Sequence, residues 1–289
     1  WRMKSVLPFI LMVILLPMTA VAQERLPGGG VAEATGLRAW YAEPTKRYAH
    51  GILDDAIEAG SLIAERDGKT YRYDLPDDSV FEDITPRLVD ANGDGQLEIL
   101  TIKPYLTRGS TIALYGIQDD TLVPLAEATP IGAPNRWLNP AGVADYNGDG
   151  RPEIAVIRTP HIGGILILYH WDGHSPTIAE LARKSGYSSH AIGSTELQIA
   201  LTADWNGDGI MDLLLPRQNR TDIVPVYMVG NHFTEGDTYR MRREVTGRLE
   251  MMGNFLKVPL RGGLTKTITR PYNPAEKAQK QEKALLQSD

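Results

Sequence analysis

The sequence predicts an all-β protein assembled from a repeated unit that contains a calcium-binding loop. Three observations lead to this prediction. A nine-residue acidic pattern occurs three times, an apolar run of strand length follows each copy, and a second apolar run with a turn comes next. The chain also contains 28 Gly and 19 Pro, spread along its length, which favours short strands and tight turns over long helices.

The acidic pattern begins at residues 90, 145 and 204, so that successive copies start 55 and 59 residues apart. The copies read DANGDGQLE (90–98), DYNGDGRPE (145–153) and DWNGDGIMD (204–212). A pattern that recurs at a nearly constant interval indicates supersecondary units that are stacked or arranged radially.

Each copy supplies oxygen atoms at the spacing that a calcium loop needs. Calcium takes about six to eight oxygen ligands, from carboxylates, amides, main-chain carbonyls and water. Positions 1, 3, 5 and 9 carry acidic or amide side chains, position 7 offers its main-chain carbonyl, and glycines at positions 4 and 6 allow a tight turn. The predicted ligands are Asp90, Asn92, Asp94, Gln96, Glu98, Asp145, Asn147, Asp149, Arg151, Glu153, Asp204, Asn206, Asp208, Ile210 and Asp212. We therefore expect about three Ca²⁺ sites that stabilise the fold.

Two other interpretations of the loop are disfavoured by the sequence. A single copy is also compatible with a polar turn without metal, but three copies in register disfavour that interpretation. An EF-hand needs a bidentate Glu at position 12 and a helix on each side. Position 12 is Thr101, Val156 or Leu215, each within an apolar run, so the sequence predicts a loop between strands.

The segments after each loop predict strands in a constant order. The first runs are Ile99–Ile102, Ile154–Ile157 and Leu213–Leu215, and we interpret them as buried strands. The second runs are Ile112–Tyr115, Leu166–Tyr169 and Val224–Tyr227. The turns that follow are Asp119-Asp120, Asp172-Gly173 and Gly230-Asn231, as a hairpin requires.

Weaker patterns flank the three copies. Ser61–Glu65 and Tyr71–Asp74 predict a hairpin of a degenerate fourth copy, whose loop would fall near His50–Glu58. That segment lacks the acidic spacing, so no metal is predicted there. Residues 248–260 predict strands that complete the last unit.

The two ends of the chain differ in composition from the middle. Residues 1–22 have a basic start, a short apolar stretch and Ala20-Val21-Ala22, the pattern of a secretory signal peptide. This predicts an extracytoplasmic protein without an integral membrane span after cleavage. We expect the β domain to cover residues 23–272, and a polar helical or disordered tail to cover residues 273–289.

Composition limits the partners. The chain has no Cys, so in an exported protein the fold cannot rely on disulfides, and bound calcium would replace them. Its net charge is −6, which disfavours nucleic acid and favours divalent cations.

The loops and their flanking strands resemble the FG-GAP or VCBS repeat family, found in the heads of integrin α chains and in bacterial exported proteins. The resemblance covers about residues 61–239. It implies a β-propeller of four-stranded blades with the acidic loops as calcium sites. At about 57 residues per repeat, the chain accommodates about four to five blades, fewer than integrin-type heads have.

The sequence favours a binding or scaffold module, with a protein or carbohydrate partner, over an enzyme. It contains none of the local motifs for an activated serine, a zinc protease, a phosphate-binding loop or a thiol nucleophile. The alternative is a calcium-dependent polysaccharide hydrolase or lyase, since two carboxylates from separate blades need no local motif. A purely structural role in an envelope assembly is a third hypothesis.

The histidines and tryptophans gave no site by themselves. His170 and His174 flank a turn and are expected on the surface, while His161, His190 and His232 are far apart in the chain. A joint histidine site would have to be assembled by the fold. Trp137, Trp171 and Trp205 are expected to pack in the core.

Overall fold

The structure is a computed structural model that describes residues 24–271, and every regular element in that range is a β-strand. The predicted signal peptide at residues 1–22 and the predicted tail at residues 273–289 lie outside the described residues. Within the described range, no helix is long and apolar enough to cross a membrane.

The strands form five antiparallel sheets that follow one another along the chain. Sheet A contains β1 (Ala32–Ala34), β2 (Leu37–Thr45), β3 (Glu58–Arg66) and β4 (Lys69–Asp74). Sheet B contains β5 (Arg87–Val89), β6 (Glu98–Tyr105), β7 (Gly109–Gln118) and β8 (Thr121–Glu127). Sheet C contains β9 (Leu138–Ala144), β10 (Glu153–Arg158), β11 (Ile165–His170) and β12 (Ala179–Ser185).

The last two sheets are less regular. Sheet D contains β13 (Leu201–Ala203), β14 (Asp212–Pro216), β15 (Asp222–Val229) and β16 (His232–Glu235), with β17 (Tyr239–Arg240) paired to the start of β15. Sheet E contains β18 (Glu250–Met252), β19 (Phe255–Leu260) and β20 (Leu264–Thr269). In sheets A to D, the first four strands pair in chain order.

Burial explains the sequence pattern of the strands. The second strands of sheets C and D, β10 and β14, are buried along nearly their whole length, which is why they are continuous apolar runs. The fourth strands β4 and β12 have exposed residues alternating with half-buried ones, because one face meets solvent.

The sheets pack against one another in chain order. The first strands of neighbouring sheets contact each other, for example β1 with β5 and β9 with β13. The fourth strands do so as well, for example β4 with β8 and β12 with β16. One apolar cluster fills each junction. Between sheets A and B, for example, Leu62, Phe81, Ile99 and Tyr115 are all completely buried. The predicted all-β fold with four-stranded repeats is therefore confirmed.

Antiparallel order gives the molecule two distinct ends. One end carries the connections between first and second strands and between third and fourth strands. We call it the acidic-loop end. The opposite end carries the connections between second and third strands and those between consecutive sheets. For instance, Ala59 at the start of β3 forms a bridge with Phe81, in the segment that joins sheets A and B.

The structure corrects two predictions about the flanking segments. The predicted hairpin of the degenerate copy exists as β3 and β4, but the segment near His50–Glu58 joins the second and third strands. It therefore lies at the end opposite the acidic loops, and in sheet A the acidic-loop position is occupied by the short turn Thr35-Gly36. Residues 248–260 do not complete sheet D, because they pair with β20 in a separate sheet.

Candidate calcium loops and a histidine cavity

All three acidic loops occupy the same place in their sheets. Each loop starts directly after the first strand, and its ninth residue is the first residue of the second strand: Glu98 in β6, Glu153 in β10 and Asp212 in β14. The sheets therefore hold both ends of every loop.

The carboxylate at position 1 organises the turn. Asp145 Oδ1 accepts a hydrogen bond from the amide of Gly148 at 2.7 Å, and its Oδ2 accepts one from Gly150 at 2.8 Å. Both glycines have positive φ, 77° and 87°, which a residue with a side chain adopts only at a cost. Asp90 and Asp204 accept the corresponding bonds in their own loops.

The side chains at positions 3 and 5 continue this framework. Asn147 Oδ1 accepts from the amide of Asp149, and Asp149 Oδ1 accepts from the amide of Arg151, both at 2.8 Å. The same two bonds recur in the other loops. The main chain at position 7 thus belongs to the loop framework through its N–H, and its carbonyl remains a predicted ligand.

The carboxylate at position 9 is buried below the other acids. Glu153 is fully buried and accepts hydrogen bonds from the amide of Tyr146 at 2.9 Å and from Asn147 Nδ2 at 2.8 Å. Burial raises the pKa of Glu153 to about 7, with a smaller contribution from the nearby carboxylates of Asp149 and Asp145. The same causes raise the pKa of Glu98 and of Asp212 to about 7. A buried acid beside two like charges is a position where a bound cation lowers the free energy.

The donor set fits a hard divalent cation. One ligand oxygen from each of Asp145, Asp149 and Glu153 can be chosen so that the three lie within 4.8 Å of one another. Carboxylate and amide oxygens are the ligands that calcium prefers, and nitrogen or sulfur ligands are missing from the motif.

The third loop differs from the first two in its charged neighbour. Arg270 Nη2 lies 3.4 Å from Asp204 Oδ1, and Arg270 Nε donates to the main-chain carbonyl of Trp205 at 3.0 Å. In the described part of the chain, neither Asp90 nor Asp145 has such an ion pair. A fixed guanidinium competes with a metal ion for the same carboxylate, so this loop is expected to bind calcium more weakly than the others.

Neighbouring loops touch one another. A Cβ placed on Gly93 would lie 3.2 Å from Pro152 of the second loop, and one on Gly148 would lie 2.9 Å from Ile210 of the third. In the same way, Gly173, in the connection from β11 to β12, faces Asn92. The three loops and one hairpin connection therefore form a continuous row at the acidic-loop end.

A cavity at the opposite end contains groups that sequence reasoning missed. It has a volume of about 280 Å³, and we call it the histidine cavity. Its lining residues are His50, Ile52, Asn135, Arg136, Trp137, Thr159, His161, Ile162 and Ile192. They come from connections of sheets A to D and are far apart in the chain, so no local pattern could have indicated the site.

Polar contacts fix the imidazoles of three histidines at this end, His161, His190 and His50. His161 Nε2 lies 2.9 Å from His190 Nδ1, and His190 Nε2 lies 2.7 Å from the Ser194 carbonyl oxygen. His50 Nδ1 lies 2.9 Å from an oxygen of Glu82, whose side chain is fully buried. The structure thus brings together His161 and His190, which the sequence left apart. His232 is not part of this group, since it begins β16 at the acidic-loop end.

Burial controls the charge of these groups. It lowers the pKa of His161 to about 4, with smaller effects from His190 and Arg220, and it also lowers the pKa of His190. Burial raises the pKa of Glu82, and raises that of Glu58 to about 9 with a contribution from the Glu82 carboxyl. The imidazoles of His161 and His190 are therefore neutral at pH 7, and the buried carboxyls of Glu58 and Glu82 favour their protonated forms.

The remaining predicted residues are placed as follows. His170 ends β11 and His174 lies exposed in the connection that follows it. Trp137, Trp171 and Trp205 are all buried, as expected of core residues.

Residues 90–156 match the family model described as FG-GAP-like repeat, which confirms the resemblance inferred from the loops. No curated protein matches this chain in sequence. Among solved structures, the exotype rhamnogalacturonan lyase YesX is similar at 12% identity and a TM-score of 0.43, over 84% of this chain and 55% of that chain. The rhamnogalacturonan lyase YesW is similar at 12% identity and a TM-score of 0.38, over 83% of this chain and 63% of that chain. The chain spans less than two thirds of the length of either lyase.

Proposed function

We propose that this protein is an exported, calcium-stabilised β-propeller that acts as a binding or scaffold module for a protein or carbohydrate partner. The observation that carries the proposal is the set of three loops with one shared hydrogen-bond framework, each around a buried carboxylate at position 9. That framework is a pre-built cage of hard oxygen atoms, and Ca²⁺ is the ion that matches it.

The order of the sheets supports a propeller. Five sheets follow each other in chain order, and neighbouring sheets contact each other through first strands and through fourth strands, as consecutive blades do. In a propeller the blades would be four sheets of at least four strands and one sheet of three. This count agrees with the expectation of about four to five blades.

A structural role for calcium follows from where the loops lie. Each loop joins two strands of one sheet, and the loops of neighbouring sheets B, C and D contact one another. An ion in a loop therefore stabilises a sheet together with a sheet junction. In an extracytoplasmic compartment, where calcium modules have dissociation constants of about 10⁻⁴ to 10⁻³ M, such ions take the place of the missing disulfides.

The proposal predicts a strong effect of calcium on thermal stability. An ion that binds only the native state stabilises it by about 2.7 kcal/mol per site at 100 times its Kd. For three sites we expect the Tm to rise by about 10 °C or more between excess chelator and a calcium concentration of about 100 times the Kd. The measurement is a calorimetric scan of the purified protein, with magnesium at the same ionic strength as the control. An identical Tm in chelator and in calcium would refute the proposal.

One observation favours the alternative function, a calcium-dependent polysaccharide hydrolase or lyase. Glu58 and Glu82, both buried at the histidine cavity end, have raised pKa values, as general acids do. Incubation of the calcium-loaded protein with a panel of polysaccharides separates the two functions. New reducing ends or unsaturated products support the enzyme, and binding without products supports the module.

A further inference from the structure

We propose that the histidine cavity binds a neutral glycosyl unit, held by a hydrogen bond to His161 and packed against isoleucine side chains. This inference rests on the proposed function of a binding module, and it names the ligand class and its site. The site lies at the end of the molecule opposite the calcium loops.

The hydrogen-bond relay assigns an acceptor to the cavity. The Ser194 carbonyl can only accept, so the proton of neutral His190 is on Nε2. The Nδ1 of His190 is then an acceptor, and His161 Nε2 donates to it. Neutral His161 therefore keeps a lone pair on Nδ1, which makes no hydrogen bond with any described residue. A ligand that donates a hydrogen bond can use it.

Glu82, buried behind the cavity, fixes two of the residues that line it. Glu82 holds Nδ1 of His50, while its other oxygen, Oε2, is buried and has no hydrogen-bond partner among the described residues. The main-chain carbonyl of Glu82 also accepts from Trp137 Nε1 at 3.1 Å, which fixes the indole of a cavity wall. Glu82 thus holds His50 and Trp137 in fixed orientations in the cavity wall.

Charge selects a neutral ligand. A cation would be repelled by Arg136, whose charge is felt by His50, and by Arg220, whose charge is felt by His161 and His190. An anion without a proton cannot donate a hydrogen bond to the lone pair of His161 Nδ1. Hydroxyl groups carry no charge and both donate and accept hydrogen bonds, so they suit the imidazoles together with Asn135 and Thr159.

The apolar walls fit the C–H faces of a sugar ring. Ile162 and Ile192 line the cavity and are each 67% exposed, so they form an apolar rim. Ile52 and Trp137 line it from below, and the His161 ring is stacked on Trp137 with an interplanar angle of 8°. A volume of about 280 Å³ accommodates one ring rather than an extended chain. We therefore expect recognition of a terminal or protruding glycosyl residue.

The test uses the full protein saturated with calcium, on an array of neutral, acidic and amino glycans. The strongest neutral glycan is then titrated by calorimetry against four variants. His161→Phe keeps the aromatic ring and removes both nitrogens, and Ile192→Ser changes an exposed side chain. His174→Phe and Val229→Ser are the matched controls, because both residues are exposed and lie outside the cavity.

We expect His161→Phe to weaken binding about tenfold, the effect of one lost hydrogen bond, and Ile192→Ser to weaken it about threefold to tenfold. The two controls should bind like the unmodified protein. If His161→Phe does not fold, two other results support the proposal. One is the expected loss of affinity in Ile192→Ser, and the other is a shift of the His161 ring ¹⁵N signals when the glycan is added to the unmodified protein.

Three results overturn it: no neutral glycan binds, the cavity variants bind as well as the controls, or the cavity selects peptides or charged glycans. The calcium proposal is judged separately by the Tm. A protein that calcium stabilises but that binds no neutral glycan refutes the inference about the cavity and leaves the calcium loops unaffected.

Discussion

At the scale of single residues, the ninth position of the acidic loops explains why these turns need a cation. Glu98, Glu153 and Asp212 are buried where their strands begin, and the acids at positions 1 and 5 raise their pKa values. Without an ion this carboxylate costs stability, and with an ion it becomes a ligand. The same side chain thus has opposite effects in the two states.

This argument predicts a reversal of sign for Glu153→Gln. In excess calcium the variant loses a charged ligand, and its free energy of unfolding should fall by about 2 to 3 kcal/mol. In chelator the neutral amide removes a buried like charge, so the variant should be as stable as the unmodified protein or more so. Urea unfolding under both conditions measures the two differences.

Glu180→Gln is the control for that experiment. Glu180 lies on the exposed strand β12, so its substitution should change stability by less than about 0.5 kcal/mol, with or without calcium. Equal destabilisation by Glu153→Gln in calcium and in chelator would show that Glu153 has a packing role only.

His161 predicts a dependence on pH at the other end of the molecule. Its folded pKa of about 4 is lower than the value of about 6.5 in an unfolded chain, so the unfolded state binds more protons below pH 6.5. The stability from neutral His161 is complete above pH 6.5 and is lost as the pH falls toward 4. The loss should reach about 2 kcal/mol.

The measurement for this prediction compares His161→Phe with the unmodified protein at pH 7.5 and pH 4.5, in excess calcium. Any effect of pH on the acidic loops is common to both proteins, so the change in their difference belongs to His161. A constant difference between the two pH values would contradict the prediction.

The two sites differ in how far the sequence could predict them. The ligands of each loop lie within nine consecutive residues, so type and spacing alone indicate a metal site. His161 and His190 are 29 residues apart in the chain. His50 and Trp137 come close to them only because several sheets pack together. No rule of local spacing applies to such a group.

At the scale of elements, strands were easier to predict than the order in which they pair. The apolar runs predicted at Ile99–Ile102 and Ile154–Ile157 lie in β6 and β10. The loop of the degenerate copy was placed one strand too late, because second and third strands are both short apolar runs and look alike in sequence. In sheet A no acidic motif marks which of them is second.

The contacts between loops predict a coupling of two substitutions. Gly148 and Gly150 both have positive φ, so an alanine at either position should cost about 1 kcal/mol. A Cβ on Gly148 also meets Ile210 Cδ1 at 2.9 Å, whereas one on Gly150 meets open space. Ile210→Val removes that methyl group and should recover about 0.5 kcal/mol in Gly148→Ala but nothing in Gly150→Ala.

A double-mutant cycle in calcium measures this coupling from the free energies of unfolding. The Gly150→Ala cycle is the internal control, since it has the same backbone strain without the contact. Equal coupling energies in both cycles would contradict direct contact between the second and third loops.

At the scale of the whole molecule, the row of touching loops predicts that loss of one ion loosens more than one sheet. Glu98→Gln should increase hydrogen exchange at 90–98 and also at 145–153 and 171–175, because Gly93 faces Pro152 and Gly173 faces Asn92. Exchange in the hairpin of β3 and β4 should remain unchanged. Mass spectrometry of deuterated peptides tests this, and protection lost only at 90–98 would rule out coupling.

Sheet A has a consequence of its own, because the turn Thr35-Gly36 replaces the acidic loop there. The described strands of sheet A and the turns between them therefore lack the nine-residue acidic pattern that sheets B, C and D contain. Probes placed on this sheet and on sheet C therefore serve as an internal reference and a sensor within one chain. If the two probes report separate transitions when calcium is withdrawn, the protein unfolds in stages, and the sheets that carry acidic loops unfold first.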